Sequence, residues 1–334
     1  MATKLDISEL DFQGIKENLK TFLSQQDEFR DYDFQGSGMN ILLDVLAYNT
    51  HYLGYNANML ANEMYLDSAS QRSSVVSLAK QVGYTPRSAT SSKATIDVTV
   101  NNASGSSITM SRGTKFTSTV DGTAYNFVNN ADVSISPVDG VYKFSNLEVF
   151  EGTFLNFKYT VNTADTEQRF VVPNDDVDTT TLTVKIQESA TDTTTNTYTL
   201  ASGITGLDST SKVYFLQEVE NGRFEVYFGD GVLGKAVADG NIVILDYITC
   251  NRDAPNGAST FTLSGNVGGF TNVTISTIGN AAGGDSPETI KSIKYNAPRD
   301  YTSQDRAVTA DDYKVLVKSL YANAQSVQVY GGED

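Results

Sequence analysis

The strongest constraint on the fold is a long helical segment, from about Met39 to Leu66, whose apolar residues form two stripes. Within each stripe the residues recur at intervals of three or four, which is the spacing of one helix face. A shift of two residues corresponds to about 200° around a helix, so the two stripes lie on nearly opposite faces. The first stripe is Met39, Leu43, Leu46, Thr50, Leu53, Ala57, Leu60 and Met64, and the second is Ile41, Val45, Tyr48, Tyr52, Tyr55 and Met59.

A helix that is apolar on two faces is expected to be buried between partners, because a surface helix needs only one apolar face. Two sources of cover are open. The flanking helices of the same chain can cover both faces, or part of the cover comes from another chain. One flanking helix carries Phe12, Ile15, Leu19, Phe22 and Leu23 at helical spacing, and the other runs from Ser70 to Val82, where Gly83 and Pro86 end it.

From Lys93 onward, runs of strand length alternate or cluster apolar residues, with Asn, Asp, Gly and Ser between them. Helix signals return at Ser286-Pro287, and at Thr309 followed by Asp312. We therefore predict an α+β protein, with an N-terminal helical bundle region over 1–88, mainly antiparallel β domains over 89–280 and a short C-terminal helical segment over 281–334. The final QSVQVYGGED has the pattern of a beginning strand, which predicts that further domains follow.

The stretch YFGDGVLGKAVADGNIVILDY contains Gly229, Gly231 and Gly234 in the order of a dinucleotide-binding loop. That mechanism needs a helix to begin at the third glycine, because free N–H groups at a helix N-terminus hold the pyrophosphate. Here a turn at 239–241 and a second strand follow instead. The glycines therefore predict a connection between two strands, and no cofactor is expected.

Charge and composition exclude several classes of function. The chain has 40 acidic and 24 basic side chains, for a formal charge of −16, and no cluster of Lys and Arg that could bind nucleic acid. A single histidine, His51, and a single cysteine, Cys250, leave no nucleophile and base pair or metal site to propose. The longest uncharged helical stretch, 45–62, contains four Asn, so we predict no membrane span.

These exclusions favour a structural interaction protein over an enzyme. A β-rich glycan-binding or glycan-cleaving module is the competing class. Such modules present aromatic platforms, and this chain has no Trp, although its 18 Tyr could substitute.

Several segments resemble one known family. The stretches DEFRDYDFQGSGMNILLDVLAYNTHYLGYNANM and QRSSVVSLAKQVGYTP resemble the N-terminal helices of baseplate wedge proteins of T-even-type contractile-tailed bacteriophages. SRGTKF resembles the P-x-G-T turn of the wider baseplate J-like family, with Arg112, Gly113 and Thr114 in place. A later stretch resembles that family's F-G-D-G-x-x-G hairpin, with Phe228, Gly229, Asp230, Gly231 and Gly234.

The resemblance implies a structural subunit of the virion tail baseplate that is assembled in the host cell cytoplasm. Such a subunit pairs with itself and with other wedge subunits, and six wedges close around the tail hub. Rearrangement of that ring lets the sheath contract. A baseplate J-like component of another contractile injection particle is the alternative.

A mixed helical bundle of this kind would need the two-faced helix. We expect the partner interface to involve apolar residues of the first two helices, and we place the tyrosine row against another subunit because tyrosine gives a large contact area at low entropic cost. The predicted interface residues are Phe12, Ile15, Leu19, Phe22, Ile41, Val45, Tyr48, Tyr52, Tyr55 and Met59.

Overall fold

The computed structural model describes all residues except 1–10, 27–34, 202, 204–205, 220–221, 304–305, 321–325 and 332–334. Helices lie at both ends of the chain and mostly antiparallel sheets lie between them, so the predicted α+β class is confirmed. None of the helices in the described residues is long and apolar enough to cross a membrane. The helices are α1 (Phe12–Ser24), α2 (Gly38–Glu63), α3 (Arg72–Gln81), α4 (Ile290–Ser303) and α5 (Ala310–Leu320).

The first sheet has six strands in the order β14-β3-β4-β6-β1-β15, all antiparallel. Alternation along these strands buries one face, where Phe116, Phe127 and Phe144 are among the side chains of one apolar core. A two-stranded ribbon of β2 and β5 adds Ile108 and Met110 to that core. The strands are β1 (Lys93–Val100), β2 (Ile108–Met110), β3 (Lys115–Val120), β4 (Thr123–Asn129), β5 (Val133–Ile135), β6 (Tyr142–Glu151), β14 (Thr262–Ser264) and β15 (Val273–Ala282).

The second sheet has seven strands in the order β7-β13-β9-β10-β11-β12-β8. All its pairs are antiparallel except β10 with β11. Its separate core includes Val184, Leu245 and Tyr247. The strands are β7 (Thr153–Thr160), β8 (Phe170–Val171), β9 (Val177–Gln187), β10 (Thr195–Leu200), β11 (Val213–Glu218), β12 (Phe224–Phe228) and β13 (Ile242–Thr249).

Helices from the two ends of the chain share a third core. Val75, Val76 and Ala79 of α3 pack with Ile293 and Ala297 of α4, and all five side chains are buried. The helical regions predicted over 1–88 and 281–334 are therefore in contact. The domain boundaries themselves stay a prediction.

Two local predictions are wrong. The stretch from Phe228 to Tyr247 was expected to form a hairpin, but β12 pairs with β11 and β8, whereas β13 pairs with β7 and β9. In the sheet, β13 lies between β7 and β9, and β12 lies between β11 and β8. The chain therefore crosses the sheet on its way from β12 to β13. In the final segment, the described residues 326–331 form no strand.

Gly152 forms the corner where the chain leaves β6 in the first sheet and enters β7 in the second. Its φ of +132° is a conformation that L side chains rarely adopt. A Cβ atom at this position would lie 2.1 Å from the carbonyl oxygen of Thr249 and 2.7 Å from Cγ2 of Ile248. The close approach of β13 therefore requires glycine at the corner.

We predict that Gly152→Ala lowers the free energy of unfolding by at least about 3 kcal/mol, because backbone strain and a clash with a backbone oxygen add together. Gly140→Ala is the matched control, since Gly140 also has a positive φ of +77° but has open space around its Cα. It should cost roughly 1 to 2 kcal/mol. Urea unfolding of both variants measures the difference, and equal losses would show that the close approach at Gly152 is unimportant.

Candidate subunit interface

The first helical pair, α1 on α2, covers only one end of α2. Ile15 of α1 is buried, as are Leu43 and Ala47 of α2, and Lys16 Nζ lies 2.5 Å from Asp44 Oδ1 beside them. α1 has 13 residues against 26 in α2, so it is too short to follow the whole helix. Burial in α2 is accordingly confined to Asn40, Leu43 and Ala47.

Most of the apolar surface of α2 is exposed on both stripes. We call Ile41, Val45, Tyr48, Tyr52, Tyr55 and Met59 the tyrosine face; these side chains are 41% to 61% exposed. We call Leu46, Leu53, Leu60 and Met64 the leucine face; these are 46% to 69% exposed.

In the structure, therefore, the flanking helices do not cover both stripes, which was one of the two sources of cover considered. α1 reaches only the start of α2, and α3 buries its apolar side chains against α4.

The predicted interface residues of α1 lie in different surroundings. Ile15 is buried in the α1–α2 pair, Phe12 and Leu19 are half-buried, and Phe22 is exposed. The tyrosine face and Phe22 are thus open to solvent in the single chain, whereas Ile15 is already covered within it.

The tyrosine face has an ordered centre. The Tyr48 hydroxyl donates a hydrogen bond of 2.9 Å to the Tyr52 hydroxyl, one helical turn away. Their rings meet edge to face, with centroids 4.6 Å apart. This hydrogen bond raises the pKa of Tyr48. The two rings thus form a paired aromatic contact at the centre of the face.

The elbow between α2 and α3 is held by Glu63, which sequence reasoning missed. Its carboxylate accepts hydrogen bonds from the backbone N–H of Ser70 (2.7 Å), the Ser70 hydroxyl (2.6 Å) and the backbone N–H of Gln71 (3.2 Å). The Ser70 hydroxyl is the main reason that the pKa of Glu63 falls to about 2. The sequence does contain a signal for this contact. Glu63 is an acidic side chain at a helix C-terminus, where it opposes the helix dipole, so a hydrogen-bond partner outside the helix is expected.

Beyond the elbow, α3 is fastened to the second sheet. Arg72 donates to both carboxylate oxygens of Glu218 on β11, at 2.7 and 2.8 Å, and to the backbone oxygen of Glu288 just before α4. Glu218 is buried, so this bidentate pair is shielded from water. The direction of α2 is therefore set by a chain of contacts that ends in the sheet.

The predicted turn at Arg112, Gly113 and Thr114 lies between β2 and β3 and touches the second sheet. The Arg112 guanidinium lies over the Phe154 ring, with its central carbon 4.7 Å from the ring centroid, and contacts Asp246 on β13 at 3.2 Å. Gly113 has a φ of +79°, and a Cβ there would lie 3.2 Å from the same ring. Thr114 closes the turn on itself, since its hydroxyl donates to the Ser111 carbonyl oxygen at 2.7 Å.

The glycine-rich stretch after β12 forms a turn that also bonds to the segment before β11, since the Gly234 N–H donates to the Asp208 oxygen at 3.0 Å. Phe228 packs against Phe170 and Tyr198 of the second core. Asp230 Oδ1 accepts hydrogen bonds from the N–H groups of Val232 and Leu233, which lowers the pKa of Asp230.

The glycines close the same turn. The N–H of Gly231 donates to the oxygen of Gly234 at 3.1 Å, and a Cβ on Gly229 would lie 2.4 Å from that oxygen. The N–H groups of Gly231, Val232 and Leu233 are thus bonded inside the turn. The next element is strand β13 rather than a helix, which agrees with the prediction of a strand-to-strand connection. Within the described residues, no group of His, Cys, Asp or Glu is arranged to hold a metal ion.

Comparison with known proteins gives these features a family. Residues 11–84 match the family model "Baseplate wedge protein gp6-like, helical domain", which covers α1, α2 and α3. Residues 157–257 match "Bacteriophage baseplate wedge protein gp6, third domain", which covers most of the second sheet. The chain is also 30% identical to "Baseplate wedge protein gp6" of Enterobacteria phage T4, over 96% of this chain and 51% of that protein. The chain belongs to the gp6-like baseplate wedge family.

This gp6-like chain spans about half the length of the curated relative that it matches. Among solved structures, a chain of the anti-feeding prophage baseplate is similar at 11% identity, over 92% of this chain and 56% of that one, with a TM-score of 0.30. The predicted membership of a wider J-like group stays a prediction.

We predict that Glu63→Gln loosens the elbow, because a neutral amide accepts the three hydrogen bonds more weakly than a carboxylate. The folded pKa of Glu63 is lowered from 4.5 to about 2, so its stabilising effect is complete above pH 4.5 and is lost as the pH falls through about 2. Amide hydrogen exchange at Ser70 and Gln71 should therefore accelerate in the variant at pH 7.

Glu17→Gln on α1 is the control, since Glu17 accepts a side-chain bond from Gln13 but no backbone N–H bond in a connection between helices. It should leave exchange at Ser70 and Gln71 unchanged. Unchanged exchange in Glu63→Gln as well would show that the elbow does not depend on the carboxylate.

Proposed function

We propose that this protein is a structural subunit of a phage tail baseplate wedge, and that α2 is its assembly helix. The observation that carries the proposal is the exposure of both apolar faces of α2 in the single chain. Large contiguous apolar patches are rare on monomeric soluble proteins and mark sites of association. Membership of the gp6-like family supports the same conclusion.

The composition of α2 fits a subunit interface. Over 26 residues it has only two charged side chains, Asp44 and Glu63, and both are engaged within the chain. Interface cores are depleted of charge and enriched in Tyr and Met. The tyrosine face provides both residue types, and the leucine face provides Met64 beside three leucines. The role is structural rather than catalytic, because binding through such surfaces needs neither a nucleophile nor a cofactor.

The proposal assigns a different partner to each of the two faces of α2. The tyrosine face packs against a second copy of the chain, and the leucine face packs against another wedge subunit, so that α2 lies inside a mixed bundle. The dimers are part of a sixfold ring in the virion tail baseplate, assembled in the host cell cytoplasm. Rearrangement of that ring allows sheath contraction. The resemblance of the N-terminal helices to T-even-type wedge proteins supports this arrangement.

We predict that the triple variant Tyr48→Glu, Tyr52→Glu, Tyr55→Glu weakens self-association at least about a hundredfold, because uncompensated charge would be buried in the interface. Glu is a good helix former, so α2 itself should persist. Light scattering after size exclusion gives the mass, and circular dichroism checks that the sheets remain folded.

The matched control is Tyr301→Glu, which adds a charge to a helical tyrosine of α4 that is also exposed. It should leave the mass unchanged. A triple variant with the mass of the wild type would contradict the assignment of the tyrosine face.

We also predict that deletion of residues 1–64 gives a folded monomer, since it removes α1 and α2 but keeps Leu66 and α3 in the core shared with α4. A deletion through residue 88 would also remove Arg72 and leave the buried carboxylate of Glu218 without its partner. The shorter deletion is therefore the cleaner test. A truncated chain with the oligomeric mass of the wild type would place self-association outside α2.

A further inference from the structure

Arg112 is the one residue of the β2–β3 turn whose side chain reaches deep into the second sheet. Its Nη2 donates to Asn130 Oδ1 at 2.6 Å, on the side of the first sheet. The same guanidinium donates to Asp246 Oδ2 at 3.2 Å and to Thr183 Oγ1 at 3.2 Å, on β13 and β9 of the second sheet. The planar fork thus bonds to both sheets at once, while its face covers the ring of Phe154.

The site is shielded from water, and its guanidinium is paired with a buried carboxylate. The side chains of Arg112 and Asp246 are only 12% and 7% exposed. Asp246 also accepts hydrogen bonds from Lys185 Nζ at 3.1 Å and Asn156 Nδ2 at 2.5 Å, so its carboxylate is fixed from three directions. Removing the guanidinium would leave a buried carboxylate short of a partner, which is the costly way to break an ion pair.

One further polar link lies beside Arg112, where Asn130 Nδ2 donates to the Thr181 oxygen of β9 at 3.4 Å. Other polar links lie near the peptide connections between the sheets. Asn251, just after β13, donates to Glu151 beside the Gly152 corner, through its backbone N–H at 2.9 Å and its side chain at 2.7 Å. Ser91, just before β1, donates to Asp178 at 2.8 Å. Contacts beside a peptide connection between the sheets can persist when that connection bends. Arg112 instead extends from a turn that has no peptide connection to the second sheet nearby in sequence.

We propose that Arg112 is an interdomain clasp, which holds the two sheets in one fixed orientation. The two sheets, which we call the body of the subunit, then move as a single rigid unit. The clasp depends on the shape of arginine as well as on its charge. Lysine could reach Asp246 but could not bond to Asn130 and Thr183 at the same time or lie flat on Phe154. The proposal concerns the body of the chain and is independent of the assembly helix.

Distances between spin labels test the clasp directly. Thr123→Cys on β4 and Thr197→Cys on β10 place labels at exposed positions, one in each sheet. Burial raises the pKa of the native Cys250 thiol to about 11, so it reacts slowly with labelling reagents. The labelled full-length chain is diluted into unlabelled chain. Pulsed electron paramagnetic resonance then measures only the distances between two labels within one chain.

With Arg112 intact, we expect one narrow distance distribution and one thermal transition. Arg112→Ala and Arg112→Lys should both broaden the distribution, and Arg112→Ala should lower the transition by roughly 6 to 12 °C or split it in two. Asp246→Asn, which keeps the side-chain shape, should broaden the distances and provides the test if Arg112→Ala does not fold.

Arg169→Ala is the matched control, because Arg169 also forms a bidentate pair, with Glu225 at 2.9 Å for both bonds, but within the second sheet. It should lower stability without broadening the distances. Folded Arg112→Lys and Asp246→Asn variants with the narrow distribution of the wild type would overturn the proposal. Equal broadening in Arg169→Ala would do so too, since any lost arginine pair would then have the same effect.

Discussion

Among the described residues, the two apolar faces of α2 lie exposed, and the proposed assembly depends on burying this surface. Full burial is worth about 1.5–3 kcal/mol for each large apolar side chain, whereas association costs about 4–15 kcal/mol. When two copies pack through the tyrosine face, each contributes six side chains, so even partial burial gains at least about as much as association costs. Under the proposed function the leucine face stays exposed in such a pair and is available to a further subunit.

Whereas α2 exposes apolar side chains, the rest of the chain buries several charged ones. Three of the buried carboxylates there bond to groups from other elements: Glu218 to Arg72 of α3, Asp246 to Arg112 of the β2–β3 turn, and Glu288 to the Tyr84 hydroxyl. Ionised groups in these surroundings are stable only while their partners stay in place. The pairs therefore specify how elements sit relative to each other, which apolar packing alone does less sharply.

Periodicity predicted the helices and most strands, because it is a local property of the sequence. It located α2 and its two faces closely, and it correctly excluded a helix after Gly234. Strand order was beyond it, since β12 and β13 are consecutive in the chain but have different neighbours in the sheet. The contact of Val75 with the α4 core, and those of Arg112 with β9 and β13, join residues far apart in sequence, and no local pattern signals such pairs.

The same contacts bear on how a baseplate subunit could transmit motion. An α2 helix of 26 residues is about 39 Å long, and its end is fixed by Glu63 to α3, which Arg72 fixes to the second sheet. A helix held this way acts as a lever only if each joint is stiff, because a soft joint would absorb the displacement. Glu63 and Arg72 stiffen the joints between α2 and the body, and an Arg112 clasp would stiffen the joint within it. Under the proposed function, movement of the bundle would then rotate the whole body instead of bending it.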